Sequence, residues 1–172
     1  MTDRFEPTLR ATQGRDELAL VHLLQLRPAP WAVVETVDSV DPRHPRADKA
    51  VIIISTQYGC PVGCLMCEAT SGAHRGNLTA DELLAQVQFV LRRRPEDLRS
   101  RKLKVHFARM GEPALNAAAV IEAVDRLPGL CRCDGLMPCV STMAPTRGAA
   151  ELLARLRAVK QRRYRPGQFQ LQ

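Results

Sequence analysis

With 172 residues, 45% hydrophobic and 25% charged, the chain suits one globular domain with a real core and is too ordinary for a disordered or fibrous protein. No apolar run approaches the roughly 20 residues that cross a bilayer, and the start, Met1 to Pro7, lacks the order of a secretory leader, so no membrane partner and a cytoplasmic address are expected. A net charge of +7 admits an acidic partner such as RNA, although only four of the 25 basic residues are lysine, a bias that genome composition also explains.

Residues 1–48 form an N-terminal segment, of which the first 30 are the least legible. Leu18 to Leu26 is apolar nearly throughout and reads as a buried helix or strand, with His22 a core or boundary histidine. A β-hairpin is expected within this segment; Trp31 to Val40 and Lys49 to Thr56 read as strands, with the polar turn from Asp41 to Arg46, its two prolines and a solvated His44 between them.

Residues 49–172 follow a regular strand–helix pattern. Val51-Ile52-Ile53-Ile54 suits a strand covered on both faces. Thr79 and Glu82 have the spacing of a capping box at a helix start. Leu83, Leu84, Val87, Val90 and Leu91 then share one face, and Pro95 stops the helix. Leu103, Val105 and Phe107 alternate along a second strand. Asn116 is placed to cap a helix carrying Val120, Ile121, Val124 and Leu127, ended by Pro128-Gly129. Cys139-Val140-Ser141 reads as a third strand, followed by a helix with Leu152, Leu153, Leu156 and Val159 on one face, and Gln168 to Gln172 as a fourth strand. Strands alternating with amphipathic helices predict an α/β fold with a parallel sheet and right-handed crossovers.

Six cysteines in a reducing compartment point to metal or catalytic work. Cys60, Cys64 and Cys67 have the spacing C-x3-C-x2-C in the loop after the first parallel strand. Tetrahedral zinc asks for a fourth protein ligand, whereas three cysteines can hold a 4Fe–4S cluster with one iron open. His74 is the one nearby histidine, and Cys131, Cys133 and Cys139 come more than sixty residues later. Spacing alone leaves zinc and cluster both open.

Two further motifs end the later strands. Met110-Gly111-Glu112-Pro113 sets a flexible glycine beside a carboxylate, and Ser141-Thr142 follows the third strand. Each alone reads as a turn. All three motifs, however, fall at the C-terminal ends of successive parallel strands, where α/β sheets and barrels place ligands.

Together these residues resemble the radical SAM superfamily, whose loop is C-x3-C-x-φ-C; here Met66 stands at φ in place of an aromatic. The resemblance implies a 4Fe–4S cluster on Cys60, Cys64 and Cys67, and S-adenosylmethionine (SAM) held by Gly111, Glu112 and Ser141, with Met66 and Asn116 as further cofactor contacts. It also implies an electron donor and reductive cleavage of SAM to a 5′-deoxyadenosyl radical. Lys104, His106 and Arg109 either reach the site or line the sheet's polar face.

Within the superfamily, Ser55-Thr56-Gln57-Tyr58-Gly59-Cys60, Arg75 to Thr79 and Met110 to Asn116 are similar to the branch that methylates RNA adenine. That branch carries a cysteine seven residues before the first cluster cysteine, where this chain has Ile53, and a methyl-carrying cysteine beyond the end of this sequence. Cys131, Cys133 and Cys139 do not match it and read as incidental thiols. The 112 residues after Cys60 make about half of the superfamily's six-unit partial barrel. An incomplete parallel (βα) barrel is therefore expected, with an exposed last edge: a truncated product or fragment, or a half that a partner chain would complete. The expected protein binds cluster and SAM but is not by itself a competent methyltransferase. The rival readings are a zinc-binding interaction module and a basic RNA-binding protein whose cluster site has decayed.

Overall fold

The computed structural model describes residues 6–70 and 72–172; most of the start on which the leader argument rests, residues 1–5, lies outside them. The chain opens with four antiparallel strands in sequence order, β1 (Thr8–Arg15), β2 (Ala19–Gln25), β3 (Val33–Val40) and β4 (Ala50–Ile54). The two expected strands are β3 and β4, and the ambiguous apolar run is the strand β2. β1 has no clear signal in the sequence, because its residues are almost all exposed at the sheet edge and carry little apolar alternation. His22 is buried on β2, edge-on to Phe89 and 2.9 Å from the Thr12 hydroxyl.

After β4 a two-stranded ribbon, β5 (Gln57–Tyr58) with β6 (Gly76–Asn77), closes the neck of the cysteine loop. Then α1 (Ala80–Arg93), β7 (Leu103–Phe107), α2 (Ala117–Cys131), β8 (Leu136–Val140), α3 (Ala149–Arg163) and β9 (Gln170–Leu171) follow in turn. The seven-stranded sheet has the order β1-β2-β3-β4-β7-β8-β9, and β4, β7, β8 and β9 run parallel. This is the expected α/β fold with an open, part-parallel sheet. Among the described residues no helix is long and apolar enough to cross a membrane.

The core lies between the sheet and the three helices. Ile52, Ile54, Leu103, Val105, Phe107 and Val140 face it and meet the apolar stripes of α1, α2 and α3. Because side chains alternate along strands, Val51, Ile53, Lys104, His106, Met137 and Cys139 point to the other face. Register aligns Ile53, His106 and Cys139 in one row across that face.

The capping box forms: Thr79 Oγ1 accepts from Glu82 N at 3.2 Å, and Glu82 Oε2 accepts from Thr79 N at 2.8 Å. Glu82 also accepts from Arg27 and from the Tyr58 hydroxyl, which ties the helix start to the ribbon. Three expectations are corrected. Pro128-Gly129 does not end α2, which runs on to Cys131. The proline removes the N–H that Val124 O would accept, and the Tyr164 hydroxyl donates there instead at 2.5 Å. Asn116 stands at the N-cap of α2 but its side-chain oxygen makes no capping bond; the side chain faces the loops, where Nδ2 donates to Thr56 O and Leu78 O. Leu153 is exposed on α3, whose buried face is Leu152, Leu156 and Val159.

Candidate cofactor site

The loops that follow β4, β7 and β8 are bonded directly to one another. Thr56 N donates to Met110 O at 2.6 Å, Met110 N to Ser55 Oγ at 3.2 Å, and Ser55 Oγ to Glu35 O at 2.6 Å. Gly111 has φ of +97°, and a Cβ there would stand 2.7 Å from the Gln57 N and Cβ atoms. Only glycine lets these two loops approach so closely. Glu112 N then donates to Gln57 Oε1 at 2.8 Å.

The Glu112 side chain, 3% exposed, joins the third loop to the other two. It accepts from Ala114 N at 2.8 Å, from Met143 N at 2.9 Å, and from the Thr142 hydroxyl. A carboxylate offers about four acceptor positions, so these donors leave about one. Asn116 Nδ2 donates to Thr56 O and to Leu78 O, both at 2.8 Å, and so holds the first loop against the start of α1.

Two residues of this framework were not singled out from sequence. Gln57 is buried and, besides Glu112 N, meets Asn77 Oδ1 at 2.7 Å. Gln86 is fully buried on α1 and caps the end of β4, accepting from Ser55 N and Thr36 Oγ1 and donating to Ser55 O. The one sequence signal for Gln86 was a polar residue inside an apolar helical stripe.

The cysteine loop is pinched at its base. Cys60 N donates to Ala69 O, Arg75 N to Tyr58 O, and Gly59 turns with φ of +75°. Cys60 and Cys64 are half-buried, Cys67 is exposed, and Leu65 and Met66 stand fully in solvent. Burial pushes the Cys60 thiol above its ordinary pKa, the Val62 amide pulls it down, and charge on Cys67, Cys64 and Glu112 pushes it up. Cys64, Cys67 and Glu112 thus all lie within electrostatic reach of Cys60. Among the described residues no three His, Cys, Asp or Glu side chains are gathered to hold one metal ion. Three thiols on one anchored loop are the donor set of a 4Fe–4S cluster with one iron open, whereas tetrahedral zinc asks for a fourth protein ligand.

Beside this loop lies a cavity of about 600 Å³ bounded by Glu35, Met66, Cys67, Arg109 and Met110, with Arg109 and Glu35 paired at 2.5 Å. Ser141 closes the β8 side: its N donates to Phe107 O, and its Oγ lies 2.6 Å from His106 Nε2. The Lys104 charge lies near Cys139 on the face away from the helices, where it partly offsets the upward push of burial on that thiol. Cys131, Cys133 and Cys139 stay outside the loop cluster as protonated thiols, and burial pushes Cys131 up to about 12.

No protein-family model matches the chain. A probable dual-specificity RNA methyltransferase RlmN of Thermosynechococcus vestitus is 36% identical over 90 residues, which are 52% of this chain and 25% of that protein. A second, from Opitutus terrae, is 42% identical over 93 residues, 54% of this chain and 26% of that protein. The chain therefore spans about a quarter of the length of the curated relatives it matches. Among solved structures, a radical SAM methyltransferase from Sphaerobacter thermophilus superposes with a TM-score of 0.71 at 26% identity, covering 96% of this chain and 44% of that one. Sequence and fold agree: the chain belongs to the radical SAM superfamily, as a relative of its RlmN-type RNA methyltransferases.

Proposed function

We propose that the chain holds a 4Fe–4S cluster on Cys60, Cys64 and Cys67, and SAM beside it against Gly111, Glu112 and Ser141, with Met66 at the margin. The observation that carries this reading is the meeting of three strand-end loops at one edge, with the cysteine loop in electrostatic reach of Glu112. With one electron from a reduced donor, the bound cofactors supply cleavage of SAM to methionine and a 5′-deoxyadenosyl radical. The residues' own work is binding and orientation. Glu112 keeps about one acceptor position for an ammonium, and the Gly111 turn brings its backbone to the ligand side. Asn116 spends its donors on the loops and acts by holding them. The cavity beside Cys67 falls within the usual range for small-molecule sites, about 300–1,000 Å³.

On the relatives' names, the substrate class is RNA. Methyl transfer is another matter. Ile53, half-buried on β4 between Val37 and His106, occupies the place of the branch's second cysteine and offers no thiol. Reduced protein with SAM and ribosomal RNA is expected to release 5′-deoxyadenosine slowly and to leave adenine unmethylated; robust methylation, read by mass spectrometry, would show that methyl transfer needs no thiol at position 53.

The cluster itself is tested by anaerobic reconstitution with iron and sulfide. A brown protein with about four irons per chain is expected. Cys60→Ala, Cys64→Ala or Cys67→Ala should each abolish uptake, while Cys131→Ala and Cys133→Ala should not. One tightly held zinc with no iron uptake overturns the reading.

A further inference from the structure

His106 and Ser141 meet on the sheet face turned away from the three helices. His106 lies on β7, in register with Ile53 and Cys139, and its Nε2 is 2.6 Å from Ser141 Oγ. The same Oγ lies 3.2 Å from Gln172 Oε1, and the Gln172 backbone is paired to Val140 and Thr142. A serine hydroxyl has one hydrogen to give. Gln172 Oε1 can only accept, so for both contacts to be hydrogen bonds that hydrogen must go to Gln172. The contact with His106 is then a hydrogen bond only if Nε2 carries the proton and Oγ accepts it. Burial first, and the Lys104 charge second, lower the His106 pKa to about 4. Near neutral pH the ring therefore carries one N–H, and the geometry assigns it to Nε2.

We propose that His106 is a positioning residue whose Nε2–H fixes Ser141 with its hydrogen turned to Gln172, so that Ser141 shows a ligand only a lone pair and selects an ammonium over a carboxylate. A hydroxyl with a swinging hydrogen would serve either group. Thr142, next in the chain, donates to Glu112, so the carboxylate on the loop after β7 is tied to the loop that carries Ser141, and the two offer acceptors from adjoining loops. An α-amino group, with three donors and a positive charge, is the chemistry that satisfies both. The inference rests on the SAM reading of the site and assigns the specificity of Ser141 within it.

Two measurements on the full chain test it. Nitrogen-15 spectra of histidine-labelled protein should show His106 as the neutral Nε2–H tautomer at pH 7, with a resonance that moves in Ser141→Ala. A ring protonated on Nδ1 alone overturns the proposal. Calorimetric titration of reconstituted protein with SAM should show His106→Leu weaker by about tenfold, the loss of one well-placed hydrogen bond. His106→Gln, which keeps a side-chain amide donor near the Nε2 position, should restore most of the affinity. In the Ser141→Ala background His106→Leu should cost nothing more, and a SAM analogue lacking the amino group should bind wild type and His106→Leu alike. Losses that multiply in the double variant overturn the proposal. Wild type that holds a cluster yet binds no SAM overturns the site reading and this inference together. Normal SAM binding by wild type and by His106→Leu overturns this inference alone. If the leucine variant does not fold, the glutamine variant and the tautomer decide.

Discussion

Glu112 shows how one side chain serves the frame and the ligand at once. Its carboxylate gathers Ala114 N, Met143 N and the Thr142 hydroxyl, from two different strand-end loops. In Glu112→Gln the new amide group must face one of those donors, which costs about 1–3 kcal/mol. The variant should therefore melt earlier, keep its iron, and lose about 1.5–3 kcal/mol of SAM affinity, the range for charged hydrogen bonds. Thr142→Val removes a donor and spares the carboxylate; it should cost about 1 kcal/mol of stability and leave SAM affinity intact. Melting curves with SAM titrations separate the two effects. A folded Glu112→Gln with unchanged affinity takes Glu112 out of the site.

At the scale of elements, α2 carries a proline in its last turns without ending there. An interior proline usually costs about 3 kcal/mol, from a lost hydrogen bond and a ring clash. Here the first loss is made good by Tyr164, which reaches from the end of α3 to Val124 O and packs its ring edge-on to Phe169. Burial pushes the Tyr164 hydroxyl far above its ordinary pKa, so it keeps the hydrogen it donates. Tyr164→Phe keeps the ring, orphans the carbonyl, and should lower stability by about 1–3 kcal/mol in denaturant. With Pro128→Ala the helix regains its own N–H, and the same tyrosine change should cost much less. Equal costs in both backgrounds would mean that Tyr164 acts through packing.

For the whole molecule, the buried imidazoles dictate a pH response. Burial lowers the pKa of His22, and burial with Lys104 lowers that of His106 to about 4. Between about 6.5 and 4 the unfolded chain binds protons that the folded chain refuses, so stability falls as pH drops through that window. Asp125, held at about 2 by Arg163 and Arg162, acts only lower, as pH falls from its ordinary value toward 2. The urea midpoint should therefore decline from pH 6.5 to 4, with a shallower slope in His106→Gln. A flat wild-type profile would show that neither ring is shielded from protons.

The sequence alone determined the alternation of strands and helices, the capping box at Thr79 and Glu82, the core stripe of α1, and the order of the three motifs along the chain. These are short-range signals, because periodicity and caps depend on residues three or four apart. Tertiary structure alone decided what the motif residues touch. Glu112 meets Thr142 and Met143 about thirty positions on, Gln86 meets Ser55 thirty-one positions back, and Asn116 meets Thr56 sixty positions back. It also converted Pro128 from a helix stop into an interior residue through Tyr164, and set His106 against Ser141. No local pattern carries such pairings, since each depends on where the sheet places the ends of separate strands.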